Sequence, residues 1–162
     1  MITHPETPTP ATHPQVALQY ALIPVHGYGI AVATVARMLD GDAAGGERAR
    51  VLGPADSIPY GAQPVLLAET TVYGVKRVEE MLLRWGSLPR PWLVLVSDAP
   101  ARPVPDARYL VRALEGRLAG VARVPYLPVL RAVSDPDEAL EYKDVQTAAQ
   151  GLRRKIEGDK KR

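Results

Sequence analysis

Cysteine is absent from the 162-residue chain, and so is phenylalanine. Without thiols there is no disulfide, no thiolate metal site and no cysteine nucleophile. Aromatic residues are scarce, at 6%, and are confined to seven Tyr and two Trp. They do not interleave with basic residues as a base-stacking platform requires. Long apolar runs are missing too. The longest candidate, Leu18 to Leu39, is broken by Pro24, His26, Gly27 and Gly29, and Trp92 to Val96 is too short to span a bilayer. Met1 to Gln15 lacks the apolar centre of a secretory leader. The expectation is a cytoplasmic protein with no membrane span.

What is present is enough for one domain with a real core and too little for two. The net charge of +2 is uneven: Gly151 to Arg162 has six basic and two acidic residues, net +4, which leaves the preceding residues at −2. Residues 1–15 are rich in Pro and Thr with almost nothing to bury, the composition of a disordered arm. His4 and His13 within it match no metal-ligand spacing. The expected division is therefore an arm over 1–15, an α/β domain over 16–157 and a basic tail over 158–162.

Apolar periodicity supplies the elements. Ala17 to Val25 reads as a central parallel strand covered on both faces and Ile30 to Leu39 as a helix. Short strands are expected at Arg48–Leu52 and Val65–Ala68, then a helix capped by Thr70 or Thr71 that runs to about Trp85. Trp92–Val96 is the clearest buried strand. A helix over Asp106–Ala119 stopped by Gly120, a strand at Val121–Val124 and a last helix through Val145, Ala149, Leu152 and Ile156 complete the chain, with Ser134 and Asp137 read as a capping box. Trp85 is expected in the core and Trp92 at a strand mouth. Alternation of this kind implies a single doubly wound, mostly parallel sheet with helices on both faces.

The chemistry-bearing stretch is the glycine turn His26-Gly27-Tyr28-Gly29 between the first strand and the first helix. Such a turn directs helix N–H groups into the crevice at the strand ends, where phosphate commonly binds. A working phosphate loop also needs a lysine and a magnesium-binding hydroxyl. When Thr34 is set on the last threonine of that pattern, Ala31, Val32 and Ala33 replace the glycine, the lysine and the first threonine. Two readings stand: a plain strand-to-helix turn, or an altered ligand loop with His26 and Thr34 as donors. Asp98, just beyond the strongest strand, could read a base or cap a turn. Asp56 and Glu69 are candidate magnesium acids weighed against solvated loop acids. Ser97, Asp98 and His26 could converge, but no nucleophile elbow accompanies them. No catalytic or metal residue is therefore assigned.

Three segments carry a family resemblance: His26–Gly29 through Thr34–Leu39, Trp92–Pro100, and Val124-Pro125-Tyr126-Leu127-Pro128 through Ala132. Together they resemble the MinD/ParA-like, SIMIBI-type branch of P-loop NTPases, and more closely a group of short, degenerate actinobacterial relatives. The resemblance implies a P-loop NTPase-like fold with the loop strand central, and ATP or another nucleotide at the strand ends. It implies contacts from His26, Gly27, Tyr28, Gly29, Thr34, Asp98, Pro125 and Tyr126, with no complete magnesium site. It also implies a protein partner, a homodimer, and a setting in mobile-element DNA transfer or partition. Nucleic acid could be met by Arg153, Arg154, Lys155, Lys160, Lys161 and Arg162. The expected function is a non-hydrolysing pseudo-ATPase. The alternatives are a nucleotide binder with a non-standard loop, and an interaction module with a basic tail.

Overall fold

Alternate residues of each strand point to opposite faces of a sheet, and the burial pattern follows that rule from one edge of this sheet to the other. The structure, a computed structural model, describes residues 18–25, 27, 29–41 and 48–160. Five strands, β1 (Tyr20–Pro24), β2 (Ala49–Val51), β3 (Gln63–Glu69), β4 (Trp92–Val96) and β5 (Gly120–Val124), pair in parallel in the order β2-β1-β3-β4-β5. The α/β expectation thus holds, and every pairing is parallel. β1 is interior but off-centre; the central strand is β3, whereas the resemblance implies that the loop strand holds that place. The reason lies in the connections: β2 returns outside β1, and β3 crosses to its other side. Chain order reverses between β1 and β3, which makes that boundary the switch point where ligands of open α/β sheets bind.

One face of the sheet presents Tyr20, Leu22, Val65, Leu67, Trp92, Val94, Ala122 and Val124. It is covered by α1 (Ile30–Asp40), the short α4 (Pro136–Ala139) and α5 (Lys143–Lys160), which bury Val35, Met38, Leu152 and Ile156 against it. The other face presents Leu66, Ala68, Leu93 and Leu95 to α2 (Val72–Leu83) and α3 (Pro105–Leu114). Each fully buried Leu or Ile contributes about 1.5–3 kcal/mol relative to exposure.

Local chemistry explains where elements differ from the sequence expectation. β3 starts earlier than expected and takes in Pro64, because pairing with β4 begins only at Val65 opposite Trp92. The amide hydrogen that Pro64 lacks therefore has no ladder partner to miss. Gln63 reinforces the spot by donating its side-chain amide to Pro64 O at 3.0 Å and Arg90 O at 2.9 Å. α2 is capped by Thr71, whose hydroxyl accepts from Gly74 N at 2.9 Å, and it ends at Leu83. α3 stops at Leu114 and tightens into a 3-10 turn, Glu115–Arg117.

Gly120 is not a helix stop but the first residue of β5, opposite Trp92 in register. A Cβ there would lie 2.4 Å from the Trp92 ring. Trp92, expected at a strand mouth, is only 3% exposed and belongs to the core. The capping box sits one residue later than expected: Asp135 accepts from Glu138 N at 2.9 Å, and Glu138 accepts from Ser134 N and Oγ at 3.0 Å each. α5 continues through Lys160, so the helix runs past the expected start of the tail. The expected arm, His4, His13, Lys161 and Arg162 lie outside the described residues, as do the side chains of Asp159 and Lys160. No helix of the described residues is long and apolar enough to cross a membrane.

Candidate functional site at the β1–α1 turn

β1 pairs with β3 to its end, and Val25 still donates its N–H to Leu67 O at 3.0 Å. The chain then has to turn into α1. Gly27 takes up the reversal at φ +62°, a left-handed conformation that costs about 1–2 kcal/mol for a residue with a Cβ. Gly29 is the N-cap of α1 at φ −139° and supplies no side-chain acceptor; no acidic residue occupies the first turn either. The helix therefore begins without a side-chain cap for its free N–H groups, the condition under which a helix end attracts anions.

Beside this turn is a crevice of about 300 Å³. Gly27, Gly29, Ala31 and Val32 form one side, and Leu67, Ala68, Glu69 and Val96 form the other. A Cβ at Gly27 or Gly29 would meet nothing within 4 Å. Gly27 is thus required by backbone conformation, and Gly29 by neither conformation nor space. Ala31 and Val32 face the crevice as apolar wall. The charged residue among its described lining is Glu69, at the end of β3.

The structure brings together only part of the set expected from sequence. Gly27 and Gly29 line the crevice, while His26 and Tyr28 lie outside the described residues. Thr34 is fully buried within α1, off the crevice wall, and its hydroxyl has no hydrogen-bond partner among the described residues. Asp98 accepts from the Thr70 hydroxyl at 3.3 Å, tying the end of β4 to the end of β3. Ser97 donates its N–H to Val124 O at 3.0 Å. Pro125 and Tyr126 line a separate hollow of about 800 Å³ with Lys143, Thr147 and Gly151 of α5. Asp56 caps its own turn by accepting from Gly53 N at 2.7 Å.

Glu69, weighed from sequence as a magnesium acid or a solvated one, is exposed at the end of β3 and lines the crevice. An acid directly after an apolar strand was the available signal; that its strand would lie beside β1 was not available. Arg153, expected to face nucleic acid, instead donates to Met38 O at 2.8 Å and clamps α5 to the end of α1. Arg154 and Lys155 are exposed. Among the described residues, Tyr20, far along β1 from the crevice, has its phenol raised above the ordinary 10.0, first by burial and then by Glu157.

No family model matches the chain, and neither the curated proteins nor the solved structures contain a match. The chemistry of the crevice therefore rests on its own residues.

Proposed function

We propose that this protein is a non-hydrolysing pseudo-ATPase of MinD/ParA-like ancestry that serves as a binding or assembly factor, in the setting of mobile-element DNA transfer or partition. The observation that carries the reading is the first turn of α1. It lies beside the switch-point crevice with an uncapped helix start, yet offers Ala31 and Val32 where phosphoryl transfer needs glycine and a cation. Phosphoryl transfer depends almost wholly on positioning and on neutralising charge. A wall of Ala31 and Val32 opposite Glu69 supplies neither.

A second reading, nucleotide binding without turnover, is favoured by the room left at Gly27 and Gly29. Incubation of the purified protein with ATP and magnesium should release no phosphate above a blank. Turnover that Glu69→Gln abolishes would overturn the pseudo-ATPase reading. Calorimetry with ATP, ADP and GTP separates the two: binding weakened by Gly29→Val, without turnover, selects the second.

A further inference from the structure

The crossover from β2 to β3, residues 52–62, contains no helix. In a doubly wound sheet that segment covers the outer half of one face, here the side of β1 opposite α1. Ala21, Leu52 and Ala62 are buried there as a small cluster of their own, and toward the carboxyl ends of β1 and β2 the cover is incomplete. A cavity of about 930 Å³ remains, walled by Ile23, Leu52, Ile58, Met81 and Trp85. That is the upper part of the usual size range for small-molecule sites. It lies against the β1 face of the sheet, between the 52–62 crossover and the C-terminal end of α2. Gly27 borders both this cavity and the smaller crevice, but the remaining residues differ.

The polar groups of the cavity define what it would accept. Trp85 donates its indole N–H to Pro89 O at 2.8 Å, so what it offers a ligand is aromatic surface. Asp56 stands at the rim with Oδ2 committed to Gly53 N at 2.7 Å, which leaves Oδ1 for a ligand. Among the described lining residues there is no basic side chain. Among these residues an anion meets a carboxylate and no cation, whereas an organic cation finds both a counter-charge and an indole.

We propose that this cavity is a binding site for a small organic monocation, an amine or quaternary ammonium carried on an apolar or aromatic body. The site is independent of the phosphate-type crevice, and it stands or falls apart from any nucleotide binding there.

Three probes of matched shape test it: phenylbutylamine, phenylbutanol and phenylbutyrate. Titration of each into the full chain at low salt is followed by the indole N–H resonances. Trp85 should shift, while Trp92, buried on the opposite face, serves as the internal reference. The amine should bind roughly tenfold tighter than the carboxylate, with the alcohol between them. Asp56→Asn keeps an oxygen for Gly53 N and should bring the amine down to the alcohol's affinity. Trp85→Leu should weaken all three. Equal or tighter binding of phenylbutyrate, a shift at Trp92 without one at Trp85, or no binding of any probe at millimolar concentration would overturn the proposal.

Discussion

The two faces of the sheet are built from the same strands by the same alternation, yet one is sealed and the other is not. On the sealed face, α1 and α5 lie over β1, β3, β4 and β5, and a single cluster runs from Tyr20 to Ile156. On the open face, α2 and α3 cover β3, β4 and β5 and reach Ile23 at the end of β1, while a loop stands over the rest of β1 and β2. The difference follows the crossover from β2 to β3, which contains no helix. Gly53, Pro54, Pro59 and Gly61 account for its absence, since they favour turns over a continuous hydrogen-bonded ladder.

The strongest way to break the comparison is to cut into the sealed face. Ile156→Ala should cost about 2–5 kcal/mol in urea denaturation, because Ile156 is fully buried in the core of the sealed face. Ile58→Ala on the open face should cost under about 1 kcal/mol by the same measurement, since Ile58 is only partly buried beside an existing cavity. Equal losses would show that the open face is closed in solution. Gly120→Ala should cost about 1–3 kcal/mol, as the added methyl strikes the Trp92 ring, and the near-ultraviolet circular dichroism of that tryptophan should change with it.

Smaller effects sharpen the contrast. Thr71→Ala removes the cap of α2 and should cost about 1 kcal/mol, read as a lower midpoint with an unchanged denaturant slope. Thr34→Val should be neutral or raise stability by up to about 1 kcal/mol, because the buried hydroxyl has no partner among the described residues. A clear loss would mean that something at the head of α1 uses that hydroxyl. Tyr20 gives the least. Its folded pKa is raised, so its contribution is fully present below the unfolded value of 10.0 and is lost as pH rises through the folded value. Tyr20→Phe should flatten that alkaline decline in a pH series of thermal midpoints.

Much of the fold was legible in residue order. Trp92–Val96 was read to its ends, because it is apolar throughout and bounded by proline and by Ser97-Asp98. Ile30 as the start of α1 and Thr71 as a cap were also readable, since both follow from local hydrogen-bonding needs. Gly120, read as a helix stop, and Pro64, left outside a strand expected to begin at Val65, were misplaced for a common reason. Each was judged as local punctuation, while its place depends on a neighbouring strand: the Trp92 ring for Gly120, and the late start of β4 for Pro64.

Of the candidate site, the glycine turn was legible and its surroundings were not. Pro125 and Tyr126 proved to belong with α5, and Asp98 with Thr70. The same limit applied to Trp85, expected in the core. It packs partly against the α2–α3 cluster and also lines the open cavity.

By itself, the sequence determined the alternation of strands and helices, the turn at Gly27 and Gly29, and the absence of lysine and of a side-chain hydroxyl from the first turn of α1. These depend on short-range periodicity, backbone freedom and residue chemistry, all of which are written locally. Only the tertiary structure decided that β3 rather than β1 is central, that Glu69 rather than Asp98 stands opposite the turn, and that an apolar cavity opens beneath residues 52–62. Those outcomes depend on which strands lie side by side and which face a crossover covers, and no single stretch of chain carries that information.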